Sequence, residues 1–395
     1  MFSALPDQPE DKILKLMAMY RDDAREQKID LGVGVYKDAS GHTPIMRAVK
    51  AAEKTLWETE TTKTYVALAG APDFNDAMVA MVLGGAVPRG DVASVGTPGG
   101  TGAVRQGFDL VKLGNASATV WYSTPTWGNH ISILKHMGVA HKPYRYFDAE
   151  SGEVDFAGMI ADLDTALPGD VILLHGCCHN PTGANLTQAQ WRQVVDILNE
   201  RALIPMIDIA YQGFGDGLEE DAYGVRLVAE NCPETIIAAS CSKNFGVYRE
   251  RTGALMAVSR GGAETARAQK TLAYLNRQNY SFPPDHGARL VTMILTDEAL
   301  KAEWMAELEE VRTGMLALRE QLAGELKRLT NSDRFDFIAR HRGMFSMLGL
   351  TAAQMDELRE THGIYGVSDS RINIAGLNSE TVPLLAKAVA EVVGG

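Results

Sequence analysis

The sequence predicts an α/β protein built on a mostly parallel sheet that is covered by helices. Short apolar runs rich in β-branched residues alternate with helical patterns through the middle of the chain. The runs that we interpret as strands are 92–95, 119–122, 171–174, 204–209, 235–238 and 254–258. Helical patterns between them include 188–199 and 223–230. Such alternation is typical of parallel sheets, whose ligands bind beyond the carboxyl ends of the strands.

The two ends of the chain predict a second, smaller unit. An early helix is expected where apolar residues from Ile13 to Tyr20 recur at helical spacing, with Pro9 and two acids in its first turn. An extended stretch follows over 31–36, and a long helix from about 296 to 329 would carry the chain out of the sheet. We therefore expect a large domain over 44–310 and a small α+β domain formed by 1–43 and 311–395.

Composition excludes several classes of protein. The chain has 395 residues and a net charge of −12, and phosphate contacts to a nucleic acid need an excess of Lys and Arg. No apolar run reaches the length of about 18 residues that a membrane helix needs. Adjacent Cys177 and Cys178 do not suggest a disulfide framework, and the first residues do not resemble a secretion signal. We expect a cytoplasmic protein without nucleic-acid or membrane partners.

Lys243 lies just after the strand predicted over 235–238, at the edge of the sheet where chemistry is expected. A lysine with a depressed pKa can bond covalently to an aldehyde cofactor. Ser240 and Ser242 could donate to a phosphate, and Arg251 could pair with it. Taken alone, the segment is equally typical of a solvated loop.

Asp208 and Tyr211 follow the strand predicted over 204–209. A carboxylate at the end of an apolar strand needs a partner to offset the cost of burying its charge. A protonated pyridine nitrogen would be such a partner, and Tyr211 could reach an oxygen on the same ring. A structural salt bridge for Asp208 remains the alternative.

Asn180 lies in the segment 175–183, after the strand predicted over 171–174, and its amide could donate to the same ring oxygen. Two histidines and two cysteines also lie in this segment, which raises the question of zinc. Zinc sites usually combine a closely spaced pair of ligands with a second pair elsewhere, and the sequence has no second pair. We therefore expect no metal.

A glycine-rich loop over 96–105 follows the first predicted strand. Free backbone N–H groups and a helix dipole make such a loop a phosphate site. Arg105 stands where a dinucleotide fingerprint has its third glycine, and no P-loop Gly-Lys pair is present. A monophosphate is therefore the better fit.

Two arginines have positions suited to binding carboxylates. Arg371 precedes an apolar strand and could grip a substrate carboxylate with both arms of its guanidinium. Arg277 could bind a second carboxylate, although a surface salt bridge explains it almost as well.

Together these segments resemble the class I (fold-type I) pyridoxal 5′-phosphate (PLP) dependent aminotransferases, in the aspartate and aromatic subgroup, and are nearest to the bacterial aromatic amino acid aminotransferases. The likeness runs from about residue 9 to residue 393 and is carried by 31–38, 124–130, 179–183, 242–246 and 370–373. It implies PLP as cofactor, a large PLP-binding domain with a seven-stranded sheet, and a homodimer with shared active sites.

The resemblance also implies roles for residues around the cofactor ring. Lys243 would bind PLP and move the substrate proton. Asp208 would bind the ring nitrogen with support from His130, and Trp127 would stack on the ring. The ring oxygen would be held by Asn180 and Tyr211.

Further roles concern the phosphate and the substrate. Four residues of the chain would bind the phosphate: Gly100, Thr101, Ser240 and Arg251. The partner subunit's Tyr65 would join them. Arg371, with the Gly34 backbone and Asn180, would bind the α-carboxylate, and the partner subunit's Arg277 would bind the second carboxylate of a dicarboxylate.

Two positions depart from the family pattern. Gly99 stands where many relatives have a serine, and Phe282 stands where aspartate-specific members usually have an asparagine that fixes the arginine at position 277. A freer Arg277 would let an aromatic ring enter. We therefore expect a ping-pong transfer of amino groups from aromatic, and also acidic, amino acids to 2-oxoglutarate.

Other functions remain open on the sequence alone. A narrow aspartate aminotransferase is the nearest alternative. A PLP-dependent lyase or decarboxylase would keep the cofactor and change the chemistry. A PLP-binding regulator would need a further DNA-binding module, and an oxidoreductase would need the missing dinucleotide fingerprint.

Overall fold

The computed structural model describes residues 1–8 and 10–394 and has a seven-stranded sheet at its centre. Its strands are β1 Ile29–Asp30, β2 Val92–Pro98, β3 Val120–Thr124, β4 His141–Arg145, β5 Phe147–Asp148, β6 Glu153–Val154, β7 Val171–His175, β8 Ile204–Ile209, β9 Glu234–Ser240, β10 Thr252–Ser259, β11 Phe345–Met347, β12 Ile364–Tyr365 and β13 Arg371–Asn373. Its helices are α1 Lys12–Asp22, α2 Arg47–Thr59, α3 Pro72–Leu83, α4 Gly99–Gly114, α5 Gly128–Met137, α6 Phe156–Leu163, α7 Gln188–Glu200, α8 Leu218–Asp221, α9 Tyr223–Asn231, α10 Gly262–Asn279, α11 His286–Thr296, α12 Glu298–Thr330, α13 Phe337–Arg340, α14 Ala352–His362 and α15 Thr381–Gly394.

The central sheet has the order β2-β10-β9-β8-β7-β3-β4. Neighbouring strands from β9 to β4 are parallel, and β10 runs antiparallel to both of its neighbours. The prediction of a mostly parallel α/β sheet is confirmed, and each of the six apolar runs falls in one of its strands. The seventh strand, β4, escaped prediction because its side chains are mostly polar and it contains Pro143, which is typical of an edge strand.

Helices cover both faces of the sheet because its strands are apolar on both sides. Successive residues of β7 point to opposite faces: Ile172 packs in the same apolar cluster as Trp191 of α7, whereas Leu173 packs with Phe108 of α4. This two-sided burial is what continuous apolar strands predict. It leaves the ends of the strands as the places where polar side chains can gather.

The N-terminal segment differs in detail from its prediction. Helix α1 begins at Lys12, and the Asp11 carboxylate caps it by accepting from the N–H groups of Ile13 and Leu14. Asp11 is therefore the N-cap and not a first-turn residue, and Pro9 lies outside the described residues. The stretch 31–36 is not a strand: it bends at 32–33 after β1, which pairs with β12, and the Leu31 backbone bonds to Tyr365 and Asn373.

Helix α12 joins two apolar clusters. Its first half contributes Trp304 and Leu308 to the cluster beneath the sheet, and its second half contributes Leu322 and Leu326 to another. The second cluster also contains Ile29 and residues of α14 and α15, so both chain ends meet there. These clusters support our proposal of a large domain over 44–310 and a small domain from 1–43 and 311–395. No helix within residues 1–8 and 10–394 is long and apolar enough to cross a membrane.

Candidate active site

A cavity opens at the carboxyl ends of the parallel strands. Strand register places Asp208 of β8 beside His175 of β7 and Ala238 of β9, and the chain reaches Lys243 shortly after β9 ends. The cavity is lined by Gly34, Gly100, Thr101, Trp127, His175, Cys177, Asn180, Asp208, Ala210, Tyr211, Ser240, Ser242, Lys243, Tyr248 and Arg251. Four residues that the sequence predicted lie outside this lining: His130, Arg371, Tyr65 and Arg277.

The amine of Lys243 lies over the ring of Tyr211, with Nζ 4.9 Å from the ring centroid. Burial is the main cause that lowers the pKa of Lys243; the charge of Asp208 opposes this shift and that of Arg251 adds to it. A lower pKa leaves more of the amine neutral near pH 7, and a neutral amine is a nucleophile. The arrangement therefore suits covalent attachment of an aldehyde.

Asp208 is paired with a fully buried histidine. Nε2 of His130 lies 2.9 Å from Oδ2 of Asp208, and Nδ1 of His130 lies 2.9 Å from Oγ1 of Thr126. Burial is the largest single influence on Asp208 and acts to raise its pKa, but the hydrogen bond from His130 and the electrostatic interactions with His130, His175 and Lys243 together lower it. Asp208 is thus held as a carboxylate that can bind a protonated ring nitrogen. The pKa of His175 falls to about 3, chiefly by burial, so that ring stays neutral.

Gly99, Gly100 and Arg251 form a cradle at the N-terminus of α4. Gly99 has φ +72°, and a Cβ there would lie 2.5 Å from Nη2 of Arg251, whereas one on Gly100 would lie 2.7 Å from Cβ of Ser240. Gly99 thus has a backbone conformation that favours glycine, and a side chain on Gly100 would clash with Ser240. Arg251 donates to Ser242 Oγ at 3.5 Å and to the Tyr248 carbonyl at 2.9 Å. A helix N-terminus, two hydroxyls and a guanidinium together suit a phosphate.

Asn180, Tyr211 and Trp127 supply the other walls. Asn180 is buried, and its Oδ1 has no hydrogen-bond partner in the described part of the chain. Burial raises the pKa of Tyr211, so its phenol stays protonated and able to donate. Trp127 packs edge-on against His130, with ring centroids 5.1 Å apart.

Arg371 lies beside the cavity at the start of β13. Its Nη2 donates to the Gly32 carbonyl at 2.7 Å and its guanidinium lies 4.5 Å from the ring centroid of Phe345. Its Nε is buried without a partner, and within the described ranges Arg371 forms no salt bridge. Burial lowers its pKa, which reflects the cost of a charge that lacks a counter-ion. A substrate carboxylate would supply one.

Gly34 is fixed by two neighbours that the sequence reasoning had not singled out. A Cβ on Gly34 would lie 2.9 Å from Cζ of Phe345, so the close approach requires glycine. Nδ2 of Asn373 donates to the carbonyls of Val33 and Val35 at 2.7 and 2.8 Å. Asn373 thereby holds the backbone on both sides of Gly34.

Tyr65 and Arg277 lie away from the cavity of their own chain. Tyr65 is 84% exposed and stacks on Phe282, with ring centroids 4.7 Å apart. The guanidinium of Arg277 lies 5.8 Å from the same ring, and its Nη1 donates to Ser281 Oγ at 2.6 Å. The three side chains form one exposed surface, which we call the Phe282 cluster.

Sequence reasoning missed Tyr248 and assigned no role to Cys177, both of which line the cavity. Tyr248 accepts a hydrogen bond from the backbone N–H of Tyr36 at 3.1 Å, which ties the segment that contains Gly34 to the cavity wall. Nothing in the local sequence marks either residue, because their positions depend on contacts between distant segments.

A lysine amine, a carboxylate paired with histidine and a phosphate cradle, gathered at one edge of a mostly parallel sheet, define a PLP-dependent enzyme. The family model "Aminotransferase class I and II" matches residues 26–389. The chain therefore belongs to the class I and II aminotransferases, and its cofactor is pyridoxal 5′-phosphate.

Three known proteins illustrate the similarity. An aromatic-amino-acid aminotransferase of Paracoccus denitrificans is 59% identical over 99% of this chain and 100% of its own length. An aspartate aminotransferase of Escherichia coli (strain K12) is 41% identical, with all of both chains covered. The crystal structure of an aromatic-amino-acid aminotransferase from Burkholderia pseudomallei, covalently bound to pyridoxal phosphate, has a TM-score of 0.97, 41% identity and 99% of each chain covered.

The residues present fit PLP on chemical grounds. The cradle around Gly100 and Arg251 is cationic and too close-packed for added side chains, which suits one phosphate group. Asn180 offers a buried side-chain amide whose oxygen lacks a partner among the described residues. Lys243 and Asp208 provide a nucleophile for the aldehyde and an anion for the ring nitrogen.

Proposed function

We propose that this enzyme transfers amino groups from aromatic L-amino acids, and also from acidic ones, to 2-oxoglutarate in two half-reactions that share one site. The observation that carries the proposal is the placement of Lys243, with a lowered pKa, in one cavity with the Asp208 carboxylate that His130 holds at 2.9 Å. The name of the Paracoccus relative supports aromatic donors. The alternative activities differ in their products. A PLP-dependent lyase would release ammonia and a decarboxylase would release carbon dioxide, whereas a transaminase forms one new amino acid for each amino acid consumed.

The residues around the ring have distinct roles in this proposal. When bound, PLP supplies an aldehyde that receives the amino group and a ring that withdraws electrons from the substrate Cα. Asp208 keeps a proton on the ring nitrogen, and His130 orients its carboxylate. Asn180 and Tyr211 donate to the ring oxygen, and Trp127 covers one face of the ring.

Lys243 acts twice. It first binds the cofactor, and once a substrate amine displaces it, the free amine removes the proton from the substrate Cα and returns it to the cofactor carbon. Its lowered pKa suits both tasks, because a protonated amine can neither attack nor accept a proton.

The phosphate is bound by Gly100, Thr101, Ser240 and Arg251 in this proposal, with the partner subunit's Tyr65 completing the shell. Tyr65 is 84% exposed and Trp57 is 82% exposed, which is unusual for large aromatic side chains and supports burial against a second copy. The homodimer and a cytoplasmic location are part of the proposal. If analytical ultracentrifugation showed a monomer at the concentration of the assay, the proposal that two subunits share each active site would be refuted.

Substrate carboxylates bind at two arginines in this proposal. Arg371 binds the α-carboxylate that every substrate has, next to the backbone of Gly34 and the amide of Asn180. The partner subunit's Arg277 binds the distal carboxylate of an acidic substrate and withdraws when an aromatic ring enters. In the part of the chain that the structure describes, its side chain has one hydrogen bond, to Ser281, and an apolar contact with Phe282, and this small number of contacts supports the mobility.

The decisive experiment compares kcat/KM for phenylalanine, tyrosine and aspartate, each with 2-oxoglutarate as acceptor. The proposal expects turnover of all three, with 2-oxo acid and glutamate formed in equal amounts. Activity on aspartate alone would leave the alternative, a narrow aspartate aminotransferase. Release of ammonia or carbon dioxide would refute transamination.

A further inference from the structure

Two adjacent thiols and a carboxylate meet behind the active site. The sulfurs of Cys177 and Cys178 and a carboxylate oxygen of Asp221 all lie within 4.8 Å of one another. Cys177 is 7% exposed, Cys178 is 2% exposed and Asp221 is 5% exposed. No catalytic step proposed above uses these three groups.

A second cleft, separate from the cofactor cavity although His175 and Cys177 line both, leads to this cluster. Cys177 and Asp221 line it at one end, and Asp216 and Glu220 are among its other lining residues. A cleft with several carboxylates attracts cations and repels anions. The cluster is therefore accessible to a small cation without passage through the substrate site.

A buried positive charge lies near the cluster and can balance the net negative charge of a thiolate-ligated ion. Arg319 of α12 is fully buried, and its guanidinium donates to Ser346 Oγ and to the carbonyls of Gly343 and Phe345, each at 2.7 Å. Within residues 1–8 and 10–394, Arg319 has no carboxylate partner. Burial raises the pKa of Cys178, whereas the charge of Arg319 acts to lower it.

We propose that Cys177, Cys178 and Asp221 form a site for a thiophilic divalent cation of the Zn²⁺ or Cd²⁺ type. Two thiolates and a carboxylate around such an ion leave one net negative charge, which Arg319 balances. In a tetrahedral site, bonds of about 2.3 Å to sulfur place ligand atoms about 3.8 Å apart, so the three ligand atoms would have to approach one another by up to about 1 Å. Binding releases the two thiol protons to solvent, involves no oxidation or reduction, and leaves a fourth position for water.

The sequence did not predict this site because its third ligand comes from another segment. The zinc argument looked for a second closely spaced pair of ligands elsewhere in the sequence, whereas the third ligand here is a single residue, Asp221, at the end of α8. The Asp221 carboxylate already accepts from the N–H groups of Gly213 and Gly215 at 2.8 Å. Cys178 Sγ lies 4.0 Å from the Tyr211 carbonyl. A bound ion would therefore connect the turn after β7, which contains Asn180, to the turn after β8, which contains Tyr211.

The test is a titration of the PLP-loaded enzyme with Cd²⁺ alone, followed by the ultraviolet absorption of cadmium thiolates. We expect one Cd²⁺ per chain with two thiolates, and an increase in Tm on binding. Cys177→Ser and Cys178→Ser should each weaken Cd²⁺ binding by about tenfold or more. Cys232→Ser is the matched control, because Cys232 is also a buried free cysteine but lies outside the cluster. Cd²⁺ absorption that survives in the Cys177→Ser/Cys178→Ser double variant, or no binding by the parent, would overturn the proposal.

Asp221→Asn tests the third ligand and should also weaken binding by about tenfold or more. Because Asp221 also holds backbone N–H groups, the fold of this variant is checked by its bound-cofactor absorbance; if it unfolds, the two serine variants decide the question. Unchanged Cd²⁺ affinity in folded Asp221→Asn would refute the three-ligand site. Transamination is assayed on the same samples, so failure of the metal site and failure of the proposed function are separate outcomes.

Discussion

Nε2 of His130 lies 2.9 Å from Oδ2 of Asp208, and the histidine is fully buried while the carboxylate keeps 11% of its surface exposed toward the cavity. The histidine therefore occupies one oxygen of the carboxylate and fixes its orientation. Such a carboxylate can serve a partner in the cavity without first breaking its own hydrogen bond. This relationship underlies the first prediction.

Asp208→Asn should lower kcat by about 100-fold or more, because a neutral amide cannot stabilise a proton on the ring nitrogen. Cofactor binding should largely remain, since the phosphate cradle and Lys243 are unchanged. The measurement is the single-turnover rate with phenylalanine at saturating PLP, with bound-cofactor absorbance as the control. Near-normal turnover would show that Asp208 has no role in proton abstraction.

The pKa of Lys243 predicts how capture of the cofactor depends on pH. Burial lowers this pKa, so the neutral amine persists at a lower pH than in an ordinary lysine, whose pKa is 10.5. The rate at which apoenzyme captures added PLP should rise with pH, with a midpoint below 10.5. In Asp208→Asn the midpoint should fall further, because a charge that raises the pKa of Lys243 is removed. A midpoint at or above 10.5 in the parent contradicts the prediction.

Arg371→Leu should lower kcat/KM by about 100-fold or more for aromatic and acidic substrates alike, since both have an α-carboxylate. Arg371→Lys should recover only part of this loss, because an ammonium lacks the two-armed geometry. Arg277→Leu is the matched control and should affect only acidic substrates. Equal losses for both substrate classes in Arg277→Leu would contradict the division of roles.

Much of the fold followed from the sequence because the central strands are apolar on both faces. The long helix predicted over 296–329 corresponds to α12, and the helix over 188–199 corresponds to α7. The sequence failed at β4, a polar edge strand, and did not show that the stretch 31–36 bends at 32–33 and is held by distant segments, with Leu31 hydrogen-bonded to Tyr365 and Asn373. Whether such segments form strands depends on partners far away in the chain.

Sequence reasoning predicted which residues after the strands gather at one cavity, because parallel strands bring their carboxyl ends to one edge. It could not locate residues that act through contacts between segments. Asn373 and Phe345 fix the backbone of Gly34, yet both look like ordinary strand residues in sequence. Trp304 of α12 is a further example.

Trp304 is fully buried, stacks on Phe245 with ring centroids 4.5 Å apart, and donates from Nε1 to the carbonyl of Asn244 at 2.7 Å. Trp304→Phe should lower the free energy of unfolding by about 1–3 kcal/mol, because that carbonyl loses its buried donor. Trp304→Ala should lower it by about 3–5 kcal/mol. Both variants should also bind PLP more weakly, since Asn244 adjoins Lys243. Met305→Ala, at the next and exposed position, is the control and should stay within about 0.5 kcal/mol in urea unfolding.

Phe282 should set the balance between aromatic and acidic substrates. Its ring stacks on Tyr65 and lies 5.8 Å from the guanidinium of Arg277, so it offers Arg277 an apolar contact and no hydrogen-bond acceptor. Phe282→Asn would supply an amide oxygen that holds the guanidinium in place. The ratio of kcat/KM for aspartate to that for phenylalanine should then rise by about tenfold, which corresponds to about 1.4 kcal/mol.

Phe282→Leu removes the stacked ring without adding a hydrogen-bond acceptor and should leave the ratio close to that of the parent enzyme. If both variants raised the ratio equally, loss of packing against Tyr65 would explain the change better than capture of Arg277. If neither variant changed it, the freedom of Arg277 would have to arise elsewhere, and its bond to Ser281 Oγ would be the next contact to remove. The two substitutions change the same position, but only Phe282→Asn adds a hydrogen-bond acceptor for Arg277. Comparing them therefore separates the mobility of Arg277 from a change in the shape of the pocket.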